Sequence, residues 1–442
     1  VTRAPSDTTP RRQSAVLFGR ASAGAGYEQP LDELAGLAEA AGLEVVGRLT
    51  QRLDSPRPAT YLGKGKVGEL QALARARHAD VVLADVDLSP AQARNLSRAL
   101  GVRVVDRSEL IMDIFAGRAR TTQAKVQVEL AQLQYALPRL RGEWTHLDRL
   151  RGGGVGTRGP GEKQLETDRR LVRRRIGDLQ AQLETFERRT RLSLHGRRFA
   201  RQVALAGYTN SGKSTLFNRL TGSERLAADR LFATLDTRTR RWEVPGLGET
   251  VLSDTVGFIR ELPHHLVASF HATLEEVVEA DLVLHVVDGA HPQAREHVES
   301  VQEVMESIGA GSIAQIVVIN KIDAVTDAMD LQALRNACPG SVCISARTGE
   351  GLRALEDAVR GFFQRGTRHY ELAIPVVEGR ALSRVRELAE VVASRTDDDH
   401  VHHLLAVGPQ AAGRLRAWAD QAGLELRAAE GDGAVHNGRR SA

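Results

Sequence analysis

The run Gly207-Tyr208-Thr209-Asn210-Ser211-Gly212-Lys213-Ser214 sets two glycines, a lysine and a hydroxyl where they could grip a polyphosphate. It follows the apolar stretch Val203–Ala206 and leads into a helical pattern, Thr215–Leu220. A phosphate-binding loop needs this strand–loop–helix setting. The glycines let backbone N–H groups wrap a β-phosphate, and the positive end of the following helix adds to the attraction. Lys213 would neutralise β and γ oxygens, and the Ser214 hydroxyl would reach a magnesium ion.

Such a loop does not by itself separate ATP from GTP. Later residues do. A strand-like run ends in Asp254-Thr255-Val256-Gly257, where a carboxylate can hold magnesium through water and a glycine N–H can sense a γ-phosphate. The apolar run Ile316–Ile319 leads to Asn320-Lys321-Ile322-Asp323. An ionised Asp323 can accept both the N1–H and the 2-amino group of guanine, a bidentate charge-assisted pair. Adenine would leave that carboxylate unmatched. The Lys321 stem can cover the base plane, and Asn320 can tie its loop to the phosphate loop. Ser345-Ala346-Arg347, after the strand-like Val342–Ile344, suits a loop whose backbone reads the guanine oxygen. Phe232-Ala233-Thr234-Leu235-Asp236 lies between the phosphate loop and Asp254. A threonine completing the magnesium shell should come from this interval. Thr234, Thr237 and Thr239 all suit it chemically, and spacing does not choose among them.

These residues must be held by an α/β scaffold. From Phe199 to about residue 367, apolar runs and amphipathic stretches alternate, which predicts a mostly parallel sheet flanked by helices. Residues 15–120 have the same rhythm, with strands expected at Ala15–Gly19, Leu43–Leu49, Asp80–Ala84 and Val102–Val105. Helices fit Leu31–Ala41 and Pro90–Leu100. Within residues 121–198 the period changes. Val126, Leu130, Leu133 and Leu137 form one stripe; Leu165, Val172, Ile176, Leu179, Leu183 and Phe186 form another. Two such helices are expected to bury their stripes together as an antiparallel hairpin. Their connection, Arg151 to Gln164, is rich in glycine and suits an RNA-contacting loop. It does not follow a strand, as a second nucleotide fingerprint would require. Arg169, Arg170, Arg173, Arg174 and Arg175 crowd the second helix, and so many like charges call for an anionic partner, with nucleic acid the natural one.

Residues 368–442 read as a small α/β unit, with strands at Tyr370–Val377 and Val401–Val407, helices at Arg380–Ser394 and Pro409–Ala422, and a polar tail. Residues 1–14 are polar and proline-containing, which suggests a disordered tail. No apolar run is long enough to cross a bilayer, so a cytoplasmic protein without membrane insertion is expected. Cys338 and Cys343 stand without a CxxC or a His/Cys cluster and read as reduced thiols.

Taken together, GYTNSGKS, FATLD, DTVGFI, NKID and SAR resemble the corresponding runs of the HflX family of translational GTPases. The block GGGVGTRGPGEKQLETDRR is similar to that family's N-terminal region, and the likeness spans most of residues 15–367. The resemblance implies Thr234 as the switch magnesium ligand. It also implies binding to the large ribosomal subunit and its ribosomal RNA, with splitting or rescue of stalled ribosomes. Lys213, Thr234 and Gly257 would then be the catalytic set, in a monomer that cycles between GTP and GDP.

One position departs from the common pattern. Many GTPases carry a water-orienting glutamine after the Asp-x-x-Gly glycine, and here Phe258 follows Gly257. A phenyl ring cannot hydrogen-bond water, so hydrolysis by the chain alone should be slow and a partner should complete the site. Asn210 offers a second route, because similar asparagines in related GTPases help bind potassium. Two competing readings stand beside this one. The first is an RNA-binding scaffold with a structural GTP site; the second adds ATP-driven RNA remodelling through the 151–164 loop.

Overall fold

The computed structural model describes residues 12–20, 31–52, 55–140, 160–196, 201–223, 238–247, 250–260, 276–365, 368–407 and 409–429. The N-terminal layer is a parallel sheet in the order β2-β1-β3-β4, built from β1 (Ser14–Arg20), β2 (Glu44–Gln51), β3 (Val81–Ala84) and β4 (Arg103–Val105). All four residues of β3 are buried, as expected when both faces of a parallel strand are covered. The covering helices are α1 (Asp32–Ala40), α2 (Lys64–Ala76), α3 (Pro90–Leu100) and α4 (Arg107–Arg118). Local chemistry sets the ends of α3. Ser89 and Gln92 form a reciprocal capping box around Pro90, and Gly101 closes the helix at φ 76°. Ser14 does not belong to the polar tail that the sequence suggests for residues 1–14; it is the first residue of β1. Its N–H and hydroxyl both donate to Asp80 Oδ2, at 2.7 and 2.9 Å, which satisfies its polarity inside the sheet.

Two long helices follow, α5 (Thr122–Arg139) and α6 (Pro160–Gly196). Val126, Leu130, Leu179 and Leu183 bury one seam between them, with Leu133, Ile176 and Phe186 packed alongside. At 37 residues, α6 is about 55 Å long, about twice the length of the 18-residue α5.

The third unit has a six-stranded sheet in the order β10-β9-β8-β5-β7-β6. Its strands are β5 (Arg201–Gly207), β6 (Arg238–Trp242), β7 (Thr250–Asp254), β8 (Leu282–Asp288), β9 (Gln315–Asn320) and β10 (Val342–Cys343). All pairs are parallel except β6 with β7. The helices here are α7 (Lys213–Thr221), α8 (Ala294–Ser307), α9 (Ala328–Ala337) and α10 (Leu352–Gln364). Because β5 lies between β7 and β8, a crevice opens at its carboxyl end, where open α/β sheets bind ligands. One apolar cluster runs from the N-terminal layer into this unit, joining Leu34, Ile111 and Phe115 to Tyr208, Phe258, Ile259 and Met305. The two cysteines are free thiols.

The C-terminal unit is antiparallel, ordered β12-β13-β11-β14, with β11 (Arg368–Pro375), β12 (Glu390–Thr396), β13 (His400–Val407) and β14 (Leu426–Ala428). Helices α11 (Gly379–Leu388) and α12 (Pro409–Gln421) accompany it. The helix expected over Arg380–Ser394 therefore stops at Leu388. Beyond it the β-branched pair Val391-Val392 lies in β12, which pairs with β13, so strand pairing wins over helical spacing. Among the described residues, no helix is long and apolar enough to cross a membrane.

Candidate nucleotide-binding site

β5 delivers the chain to Gly207, where a Cβ would lie 2.2 Å from the Val286 carbonyl oxygen. No side chain fits there. The loop then turns through Asn210 (φ 60°) and Gly212 (φ 93°) into α7. At Gly212 a Cβ would lie 2.2 Å from Asn320 Nδ2, so this glycine admits the neighbouring loop. The result is a tight concave turn that ends on a helix N-terminus, an arrangement that can hold an anion.

Lys213 is buried at the start of α7, and its Nζ donates to the carbonyls of Gly207 at 3.0 Å and Tyr208 at 2.8 Å. Burial pulls its pKa down to about 8, against the pull of Asp254 in the other direction. A bound phosphate would restore the missing counter-charge. The Ser214 hydroxyl donates to Asp254 Oδ2 at 2.9 Å, and Asp254 is fully buried at the end of β7. This pairing of hydroxyl and carboxylate is an oxygen donor set suited to a hard divalent cation. Thr255 turns inward and donates to the Leu205 carbonyl at 2.7 Å, which fixes the exit of β7 against β5.

The base end is organised by Asn320. This buried amide donates to the Ser211 carbonyl at 2.9 Å and accepts the Ala346 N–H at 2.9 Å, so it joins the phosphate loop to the Ser345–Arg347 loop. Lys321 sits at φ 62°, with Nζ 2.7 Å from Asp288 Oδ2. A hydrogen bond from Ser345 and the Arg347 guanidinium hold the Asp323 carboxyl below its ordinary range, so it is ionised at neutral pH. The sequence places the backbone of Ser345–Arg347 where it could read the base. In this conformation the Ala346 N–H is held by Asn320 and the Arg347 side chain grips Asp323.

The switch region is only partly described. Phe232, Ala233, Thr234, Leu235 and Asp236, together with Thr237, lie outside the described residues, as do residues 151–159 of the glycine-rich connection. Thr239 lies on β6, where its hydroxyl donates to Glu276 at 2.9 Å. Gly257 packs against the loop so closely that a Cβ would meet Thr209 Cα at 2.8 Å and Lys213 Nζ at 3.1 Å. Phe258 is 2% exposed, with its ring in the apolar cluster. Its N–H donates to the Gly207 carbonyl at 3.1 Å, and its carbonyl accepts the Thr209 N–H at 2.6 Å. The position that commonly carries a water-orienting side chain is thus given over to packing. A cavity of about 730 Å³ opens from Thr209–Ser211 toward α1 and is walled there by Asp32, Glu33 and Glu39.

Sequence reasoning missed a cluster on the N-terminal side of this cavity. Glu33, Asp85 and Arg107 reach Tyr208 and Arg260. Nothing in the local pattern around Arg107 marks it as buried. Only the docking of the two sheets does.

A phosphate loop on the switch-point strand, a buried hydroxyl–carboxylate pair and an ionised aspartate at the base end define a P-loop GTPase. Three family models match the chain. One described as GTP-binding GTPase N-terminal covers residues 28–116, GTP-binding GTPase Middle Region covers 118–197, and 50S ribosome-binding GTPase covers 202–321. The GTPase HflX of Magnetococcus marinus is 45% identical over 401 residues, 90% of this chain and 92% of the relative. That of Escherichia coli K12 is 46% identical over 374 residues, 84% and 88% of the two chains. Among solved structures, a GTP-binding protein from Sulfolobus solfataricus in complex with GDP aligns with 79% of this chain and 98% of its own, at 25% identity and TM-score 0.40. This chain belongs to the HflX family, and it is an enzyme that hydrolyses GTP.

Proposed function

We propose that this GTPase is a magnesium-dependent switch that works on the large ribosomal subunit, with hydrolysis stimulated there, and that it splits or rescues stalled ribosomes. The observation that carries the reading is the burial of Phe258, which leaves no water-orienting side chain directly after Gly257. A group supplied or ordered by a partner would complete the site. The matching family description, 50S ribosome-binding GTPase, names the partner that fits. Exposed Arg170 and Arg174 on α6 contribute to a basic face for ribosomal RNA, while Arg175 is paired with Glu129 at 2.7 Å.

In this reading Gly207–Ser214 hold the phosphates and Lys213 neutralises the β and γ oxygens. Ser214 and Thr234 ligate magnesium, Asp254 holds it through water, and the Gly257 N–H senses the γ-phosphate. Asn320, Lys321 and Asp323, with Ser345–Arg347, select guanine. Residues 14–120 dock on 199–367 through a shared apolar cluster, residues 121–198 face RNA, and residues 368–442 form a further unit. Asn210, exposed at the turn of the loop, is the position at which potassium would assist; exchange of potassium for sodium should then slow turnover. Steady-state phosphate release with and without purified large subunits tests the main reading. Marked stimulation by subunits is expected, and equal rates would remove it. Sedimentation with subunits should show retention with a GTP analogue and release with GDP.

A further inference from the structure

Asp288 ends β8 and stands opposite Asn320, the last residue of β9, in the parallel pairing of the two strands. Its carboxylate is held at both oxygens. Oδ1 accepts the Ala290 N–H at 3.1 Å, and Oδ2 meets Lys321 Nζ at 2.7 Å. The next residue, Gly289, lets the chain lie against the end of β9: a Cβ there would fall 2.7 Å from Ile319 Cγ2 and 3.1 Å from the Asn320 carbonyl oxygen. That carbonyl accepts the Gly289 N–H at 2.8 Å, which fixes Asp288 beside the base motif.

Lys321 is placed as firmly. Its backbone is left-handed at φ 62°, and its carbonyl accepts the Ala324 N–H at 2.9 Å. The side chains of Asp288 and Lys321 are 15% and 30% exposed, so their pair is more enclosed than a solvated surface bridge.

A free lysine side chain samples many rotamers, and a base that lay on its stem would have to freeze them on binding. Here the ammonium is anchored already, so that ordering precedes the nucleotide. We propose that Asp288 is a positioning residue for guanine nucleotide binding, which anchors the Lys321 ammonium so that the stem is preset along the plane of the base. Asp323 reads the edge of guanine; Asp288 acts on its face, through the lysine. The base motif does not contain Asp288, which reaches Lys321 only because β8 and β9 are neighbours. The inference rests on the guanine site proposed for Asn320–Asp323 and is independent of the ribosome.

Asp288→Asn in the full chain is the test, because it keeps an acceptor for the Ala290 N–H and removes only the charge. Kd for GDP and KM for GTP should rise together by about five- to tenfold, while kcat stays within about twofold. Inosine diphosphate lacks the 2-amino group that Asp323 accepts. Its affinity should fall by the same factor as that of GDP, since the face and not the edge is disturbed. Lys321→Met keeps an apolar stem and loses the ammonium. In that background Asp288→Asn should change GDP affinity by less than about twofold, as expected if the two residues act as one unit. GDP affinity within about twofold of the parent in Asp288→Asn would overturn the proposal. So would a fall in kcat, a changed ratio of GDP to inosine diphosphate affinity, or a full loss repeated in the Lys321→Met background. Failure of the unaltered protein to prefer GDP over ADP would instead strike at the guanine site itself.

Discussion

The two ends of the nucleotide site are built on different principles. At the phosphate end the backbone does the shaping: Gly207 and Gly212 stand where no Cβ fits, and Lys213 is buried and bonded to two loop carbonyls. At the base end the structural member is Asn320, bonded on both sides, while Asp323 meets an Arg347 guanidinium that is largely in solvent. The first is rigid and intolerant of substitution. The second separates holding from reading, so the reading group can be changed without loss of the scaffold.

Lys213→Ala should have the largest effect. The loss of a buried cation aimed at β and γ oxygens is expected to lower kcat about 100- to 1000-fold, measured by phosphate release. A fall of only a few-fold would mean that the backbone alone carries the phosphate end. Asp323→Asn should follow. It replaces a bidentate charge-assisted acceptor and should weaken GDP binding about 100-fold while leaving the fold intact. The same variant should bind xanthine nucleotides better than the parent, since an amide N–H can meet the extra carbonyl. If GDP and xanthine nucleotide affinities fell together, Asp323 would belong to the scaffold after all.

The third contrast concerns pH. Lys213 titrates at about 8 in the free protein and is charged below that pH. Phosphate binding favours the charged form, so above pH 8 binding must take up a proton. GDP affinity should fall about twofold between pH 7 and 8 and approach a tenfold fall per pH unit well above pH 8. Calorimetric titration in buffers of differing ionisation enthalpy would report the proton directly. Asp323, held below its ordinary range, should contribute nothing in this window. The smallest effect is expected from Arg347→Ala. The Arg347–Asp323 pair is exposed on the arginine side and worth under about 1 kcal/mol. Its removal frees the carboxylate for guanine and should raise affinity about two- to threefold.

Legibility in the sequence follows the same division. Strands buried on both faces, such as Val81–Ala84, write themselves as unbroken apolar runs, and the glycines of the phosphate loop mark a turn that few other residues can make. The C-terminal unit was harder. Glu390–Thr396 follows a helix almost directly, and its strand state depends on pairing with His400–Val407. Arg175 looked like one charge among five until its partner Glu129 was brought beside it from the preceding helix.

The order of motifs, the preference for guanine and the absence of a polar side chain after Gly257 follow from residue types and short spacings, because each acts over one turn of chain. The cluster around Arg107 could not be read that way. Glu33 and Tyr208 are 175 positions apart, and their contact exists only because two sheets share one apolar cluster. Local patterns record which side chains a helix or strand buries, but they do not record what those side chains are buried against.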